Sequence, residues 1–231
     1  MTSSDPPIEP ARREVKYVTD ELLAPHLESW LQSHHAAFTT PYPARWINNI
    51  YFDTPDYFAY AQNLAGITSR TKVRYRWYGA LRPIGAGQLE VKMRRSGLGR
   101  KLTHRIAETP PEDGSWRQVI AHFLNNVAGG PGAWFDAFPT PILINRYLRR
   151  YWVTPDGHVR ITIDTDQAVF DQRYQGSPNV ERPANLPRTT VFEVKYLPQH
   201  HHEVRDTIAS LPVSLSRHSK YAVGVDAIRS F

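Results

Sequence analysis

The sequence predicts an α+β fold: an eight-stranded antiparallel β-barrel with a charged lumen and helices packed on its outside. Three observations carry this. Eight segments alternate apolar and polar residues with period two and follow one another mostly in hairpin succession. At least five of them align a mostly basic row of side chains on one face. The tripeptide Glu-Val-Lys also occurs three times, as Glu14-Val15-Lys16, Glu90-Val91-Lys92 and Glu193-Val194-Lys195. In a strand, residues i and i+2 share a face, so each copy sets a carboxylate beside an ammonium and turns valine the other way. Only six of the 28 Lys and Arg are lysines, so half of all lysines sit in this motif. Random placement of ten glutamates and six lysines in 231 residues gives about a quarter of one Glu-x-Lys.

Residues 1–10, rich in Pro, Ser and Asp, read as a loose tail, and 11–231 as a single domain. Strands are predicted at 12–18, 45–52, 70–79, 87–95, 100–107, 142–153, 158–169 and 188–197, all rich in Val, Ile, Thr and aromatic residues. Asp20 caps a first helix whose Leu23, Leu27, Trp30 and Leu31 share a face. Thr54-Pro55 reads as the N-cap and first helical residue of a second, running to about Leu64 before Gly66. Ser115 or Asp113 opens a third, with Trp116, Val119, Ile120, Phe123 and Val127 inward. A short fourth lies near 201–210. Thr154-Pro155-Asp156-Gly157 is a hairpin turn and Pro83 to Gly87 a looser one. Gly129-Gly130-Pro131-Gly132 interrupts the chain without marking a domain boundary, since strands of the same kind lie on both sides.

Without cysteine the chain has neither disulfides nor thiolate metal sites. No basic start precedes an apolar run, and no stretch approaches eighteen apolar residues, so neither a secretory signal nor a membrane span is expected. A soluble cytoplasmic protein is the default expectation. The net charge of +6 and pI near 9.6 favour an anionic partner without separating nucleic acid, anionic membrane and phosphate-rich small molecules.

The strand faces narrow the choice. Arg70, Lys72, Arg74 and Arg76 share one face; so do Gln88, Glu90, Lys92 and Arg94; so do Lys101, Thr103 and Arg105. Arg160, Thr162, Asp164 and Asp166 align, as do Glu193 and Lys195. An antiparallel sheet with one solvated face is the plain reading of any one such strand. The rows together are too one-sided in sign for it, because like charges across neighbouring strands repel. A barrel lumen filled by a chain of phosphates accounts for them better. Arg offers forks to phosphate oxygens and Lys a point charge. The interspersed Glu14, Glu90, Asp164 and Glu193 can hold lysines in place or bind a hard divalent cation.

These residues, with Asn49-Ile50-Tyr51-Phe52-Asp53-Thr54-Pro55-Asp56, Lys72-Val73-Arg74-Tyr75-Arg76-Trp77-Tyr78-Gly79, Arg160-Ile161-Thr162-Ile163-Asp164 and Ser219-Lys220-Tyr221, come in a familiar order. From residue 12 to about 225 the chain resembles the VTC-type polyphosphate polymerase domain, a branch of the triphosphate tunnel metalloenzymes (CYTH-like superfamily). The resemblance implies an eight-stranded tunnel that binds a triphosphate with Mn2+ or Mg2+ and passes the γ-phosphate of ATP to a growing polyphosphate. It implies catalytic roles for Arg74, Arg76, Lys92, Arg149, Arg160 and Lys220. Lys16, Lys72, Lys101, Lys195, Ser219 and Tyr221 would bind substrate, and Glu193, with Glu90, Glu14 and Asp164, would serve the metal. Arg149 rests on the Tyr147-x-Arg149 pattern; Arg146 and Arg150 point to the other face. Hydrolytic members usually begin Glu-x-Glu-x-Lys, and Arg12 at the first position favours the polymerase branch. The alternatives are a hydrolase of inorganic or organic triphosphates and a silent polyphosphate-binding module. The phosphate-sensing domain and membrane helices of eukaryotic polymerases are not read in this sequence, which leaves open a membrane protein or other subunit as partner.

His200-His201-His202 reads as a solvated helix start, since three consecutive residues cannot all face one ion. His34-His35 reads as favourable charge at a helix C-terminus. Nucleic-acid binding through the aromatics of 72–78 is set aside, because alternation turns rings and arginines to opposite faces. The sequence does not show where an adenine would be held.

Overall fold

The computed structural model describes residues 12–95, 98–127, 132–209, 211, 213 and 218–230. The tail expected over 1–10 and most of the glycine-rich breaker lie outside them. All eight expected strands form: β1 (Arg13–Asp20), β2 (Arg45–Asp53), β3 (Arg70–Tyr78), β4 (Gly87–Arg95), β5 (Leu98–Ile106), β6 (Thr140–Val153), β7 (Val159–Asp171) and β8 (Thr189–Tyr196). They make one antiparallel sheet in the order β1-β8-β7-β6-β2-β3-β4-β5. Among the described residues no ladder joins the two edges, β1 and β5. The sheet curls instead until inner side chains meet across the gap, with Lys92 Nζ of β4 3.7 Å from Glu14 Oε2 of β1. Among the described residues the sheet is thus curled but not closed, and this ion pair bridges its inner face.

Helices α1 (Ala24–Ser33), α2 (Phe58–Leu64), α3 (Trp116–Asn126), α4 (Ala133–Ala137), α5 (His201–Ile208) and α6 (Lys220–Arg229) complete the fold. The apolar rows of the strands face outward, where helices cover them. Phe123 of α3 stacks on Tyr75 at 4.2 Å, in a cluster with Trp77, Leu89, Val91, Trp116 and Val119. Leu27 and Leu31 of α1 and Val204 of α5 close over Tyr17, Ile161, Ile163, Phe192 and Val194. Burying a Leu, Val or Phe side chain in this way stabilises the fold by about 1.5–3 kcal/mol each. The valines of all three Glu-Val-Lys copies lie in these two outer clusters.

Four expectations need correction. The second helix begins at Phe58, not Pro55. Tyr57 takes a left-handed φ of 62°, and the buried Asp53 carboxylate accepts from the Ala59 and Tyr60 amides while Thr54 Oγ1 accepts from Phe58 N. Asp166 leaves the inner row, because a bulge between the Arg146 and Leu148 pairings inserts a residue into β7; its backbone N–H donates to Glu21 Oε1 instead. His34 is no exposed charge at a helix end: it is buried, its pKa is lowered chiefly by that burial, and its Nε2 lies 3.2 Å from Thr207 O of α5. Finally, not every helix lies outside. α6 packs on the inward side of β6 and β7, where a Cβ on Gly224 would come 2.8 Å from Leu143 Cδ2. A larger residue there would have to displace the buried Leu143 side chain.

Candidate functional site

The inner face gathers nearly every charged residue singled out in the sequence. Period-two alternation on five strands aims Glu14 and Lys16, Lys72, Arg74 and Arg76, Glu90 and Lys92, Asp164, Glu193 and Lys195 at the same space, and β5 adds Lys101. Arg149 of β6 joins them through its ion pair with Asp164. Arg150 points outward to Glu28, and Arg146 lies over the Trp46 ring at 3.9 Å. The Tyr147-x-Arg149 pattern therefore picked the inward arginine. Arg160 sits on the same row as Thr162 and Asp164, opposite Lys195, and is exposed at the end of that row.

Three carboxylate centres organise these cations. Glu90, 1% exposed, receives Arg74 Nε at 2.7 Å, Lys101 Nζ at 2.7 Å and the Gln88 amide at 2.8 Å, with Arg76 Nη1 at 3.8 Å. Burial alone would raise its pKa; Arg74, Arg76 and Lys101 outweigh that and hold it far below the usual carboxylate range. Asp164, 0% exposed, takes both forks of Arg149, at 2.6 and 2.7 Å, and Lys220 Nζ at 2.7 Å. Its burial is likewise outweighed by Arg149 and Lys220, and its pKa falls to about 2. Glu193 and Glu14 share Lys16 Nζ, at 3.2 and 2.8 Å, while Glu193 also holds Lys195 at 2.5 Å. The first and third motif copies pair internally and the second does not: Glu90 serves Arg74, Arg76 and Lys101, and Lys92 reaches across to Glu14 instead.

Nine inward cations, Lys16, Lys72, Arg74, Arg76, Lys92, Lys101, Arg149, Lys195 and Lys220, face the four carboxylates Glu14, Glu90, Asp164 and Glu193. The surplus shows most at Lys72. Its ammonium donates to Ser219 Oγ at 2.8 Å. Burial, and then the neighbouring Lys16, Arg70, Lys92 and Arg74, push its pKa down to about 7. Lys92, though its side chain is largely exposed, is lowered too, by partial desolvation and then by Lys16 and Lys195. Thr162 Oγ1 and His218 Nε2 are buried atoms without a hydrogen-bond partner.

The Ser219-Lys220-Tyr221 motif opens α6, and each residue does a different task. Ser219 caps the helix and holds Lys72; Lys220 reaches Asp164; Tyr221 donates to Asp53 Oδ2 at 2.5 Å and stacks on Tyr51. Tyr221 is therefore a support for the helix start rather than a group open to a ligand.

Sequence reasoning missed four inner features. Tyr147 is buried with Lys220 Nζ 4.7 Å and the Arg149 guanidinium 5.2 Å from its ring; burial raises its pKa, but Arg149, Arg76 and Lys220 outweigh this and lower it. Asn49 accepts from Arg76 Nε at 2.8 Å and donates to Asn145, fixing the guanidinium. His218, its pKa lowered to about 4 chiefly by burial and then by Lys220 and Lys16, stands neutral beside the cations. Arg45 lies among three tyrosines, 4.7 Å from the Tyr42 ring, 5.2 Å from Tyr151 and 6.0 Å from Tyr78. All but His218 had a signal in the sequence: Tyr147 lies two residues from Arg149, Asn49 shares the parity of Arg45, and Tyr78 that of Arg74 and Arg76.

The donor chemistry also fits a hard divalent cation. Glu14 and Glu193 converge on a single positive centre, now Lys16 Nζ, and offer oxygen alone. Mg2+ and Mn2+ take one or two carboxylates together with phosphate oxygens. Glu90 and Asp164 are each enclosed by fixed arginines and lysines.

Comparison with known proteins agrees with the geometry. The chain matches the family model of the VTC domain over residues 11–113 and 138–229. No curated protein matches it in sequence. Among solved structures it is similar to a protein from Vibrio parahaemolyticus provisionally named an adenylate cyclase (12% identity, 93% of this chain and 97% of that one, TM-score 0.52). It is similar to the PH1819 protein of Pyrococcus horikoshii OT3 (13%, 94% and 99%, 0.50). It is also similar to a provisionally named adenylyl cyclase of Hippeastrum described as having a dominant triphosphatase activity (14%, 94% and 96%, 0.52). At these identities the likeness is one of fold.

Proposed function

Since this chain belongs to the VTC domain family, we propose that it is a phosphotransferase that adds the γ-phosphate of ATP to a growing inorganic polyphosphate inside the basic tunnel. The observation that supports this most is the surplus of inward cations over carboxylates, with Lys72 half-buried among like charges. A ligand of dense negative charge, such as a run of phosphates, would relieve it.

In this proposal the terminal oxygen of the polyphosphate attacks the γ-phosphorus, the bond to the β–γ bridging oxygen breaks, and ADP leaves. The attacking oxygen is already anionic, so no side-chain base is required. Arg74, Arg76, Lys92, Arg149, Arg160 and Lys220 stabilise charge on the transferring group, which is where catalytic energy is gained in phosphoryl transfer. Lys16, Lys72, Lys101 and Lys195 hold the phosphate chain, and Ser219 and Tyr221 set Lys72 and the α6 start in place. Glu193 and Glu14 would hold Mn2+ or Mg2+, which neutralises phosphoryl oxygens when bound. Glu90 and Asp164 hold the arginines. A cytoplasmic location, where ATP is at hand, belongs to the same proposal; no helix of the described residues is long and apolar enough to cross a membrane.

The test is the full chain with ATP and Mn2+, its products resolved on a polyphosphate gel. Long chains support the polymerase. Release of phosphate or pyrophosphate instead would give the hydrolase, the reading that the triphosphatase activity described for the Hippeastrum neighbour favours. Binding with unchanged ATP would leave a polyphosphate-binding module.

Two results are expected alongside. With its pKa near 7, Lys72 is about half protonated at neutral pH, and phosphate contact draws the proton back on. Binding therefore takes up protons above neutrality, and affinity for polyphosphate falls as pH rises from about 7 to about 9. Calorimetry in buffers of different ionisation enthalpy measures the uptake, and Lys72→Met should reduce it; equal uptake in both proteins would remove Lys72 from the site. Second, the rings around Arg45 offer stacking faces for the adenine. Tyr42→Ala and Tyr78→Ala should each raise the KM for ATP by about 5- to 100-fold, the worth of one base–aromatic stack, without weakening inorganic polyphosphate. Equal losses for both ligands would place the base elsewhere.

A further inference from the structure

We propose a second metal site, outside the tunnel, in which His158, His200 and Glu203 bind a divalent transition-metal ion with Asp156 as fourth ligand. The turn between β6 and β7 builds one half. Gly157 takes a φ of 75°, which L side chains rarely adopt, and Asp156 Oδ1 accepts from Thr154 Oγ1 at 2.6 Å and from His158 N at 2.9 Å. Those bonds fix the carboxylate and leave Oδ2 facing His158 Nδ1 at 3.2 Å.

The second half comes from the start of α5. A 3-10 turn over Pro198–His200 hands over to the helix at His201, so His200 and Glu203 fall three residues apart on one face. Glu203 Oε2 lies 3.4 Å from His200 Nδ1 and 3.8 Å from His158 Nδ1. The two imidazoles stack with centroids 3.7 Å apart and planes 22° from parallel, and the Nδ1 of each lies near the Glu203 carboxylate. His201 faces away, with Nδ1 3.0 Å from Tyr196 OH.

These separations of 3.2–3.8 Å lie near those around a tetrahedral ion. Metal–nitrogen and metal–oxygen bonds of about 2.0–2.2 Å place ligand atoms roughly 3.3–3.6 Å apart around zinc. One ligand atom from each of His158, His200 and Glu203 lies within 4.8 Å of the others, and rotation of the imidazoles out of their stack would bring the three to one ion. Two imidazoles with carboxylates and no thiol suit Zn2+ and its neighbours rather than Mg2+. The ion would staple the β6–β7 turn to α5, whose Val204 is buried in the same cluster as Trp152 and Val159.

The site stands independently of the reaction in the tunnel, and so does its test. Calorimetric titration of the metal-stripped full chain with ZnCl2, in excess Mg2+ to occupy hard oxygen sites, should show one tight equivalent and a rise in Tm with zinc concentration. His158→Ala and Glu203→Ala should each weaken it by more than the about 10- to 100-fold that loss of a partner behind a ligand costs, while His202→Ala and Glu193→Gln leave it unchanged. X-ray absorption on the zinc-loaded wild type, which needs no variant to fold, should show two imidazole ligands. Absence of the tight equivalent, its survival in the His158→Ala, His200→Ala double variant, or a shell of oxygens alone would overturn the proposal.

Discussion

Asp164→Ala is expected to cost the folded chain about 3–5 kcal/mol, the penalty for removing one partner of a buried ion pair. The carboxylate is fully buried and holds Arg149 by both forks and Lys220 by its ammonium. Without it two cations from β6 and α6 face each other, and the start of α6 loses its anchor to the sheet. Urea denaturation measures the loss as a lower midpoint. A second measurement separates this from ordinary damage. Polyphosphate supplies the missing negative charge to Arg149 and Lys220, so it should raise the Tm of the variant more than that of the wild type. An unchanged midpoint, or equal ligand shifts, would show that the pair carries neither stability nor phosphate. In the wild type the linkage has a definite sign. The folded pKa of Asp164, about 2, lies below its unfolded value near 4, so its contribution is full above about pH 4 and is lost as pH falls towards 2.

Parity made most of the tunnel legible in the sequence. The period of a strand is two, so the inward positions of Lys16, Arg74, Arg76, Lys92, Arg149 and Lys195 follow once their strands are known. Partnership does not follow, because it depends on register between strands far apart in the chain. Glu90 and Lys92 look like a pair in the sequence, yet the β3–β4–β5 register gives Glu90 to Arg74 and Lys101. One bulge in β7 sufficed to take Asp166 off the row that parity assigned it. α6 was hidden for another reason. Lys-Tyr-Ala-Val-Gly-Val-Asp-Ala-Ile-Arg holds a glycine and two valines, poor helix formers that a solvent-facing helix would avoid. Here the glycine permits contact with Leu143, and tertiary packing decides the conformation. The cluster of His158, His200 and Glu203 was illegible for the same reason as the ion pairs: His158 and His200 are far apart in sequence and meet only because α5 returns along the β6–β7 turn.

Arg74→Ala should reduce turnover by about 100- to 1,000-fold, the usual worth of one preorganised charge donor at a reacting centre. Its side chain is positioned twice, by Glu90 through Nε and Nη2 and by Tyr51 OH, 3.2 Å from Nη1. That leaves the guanidinium plane fixed before any ligand arrives, and its partners push its pKa still higher although burial opposes them. The fold should tolerate the change better than loss of Asp164, because Glu90 keeps Lys101 and Arg76. Arg74→Lys then separates charge from geometry. A lysine restores the point charge but not the fork, so polyphosphate affinity should recover more than turnover does. If the alanine variant bound and turned over polyphosphate like the wild type, the phosphates would not run along β3. The inner row of Lys72, Arg74 and Arg76 would then be a solvated face after all, and the tunnel reading would fall with it.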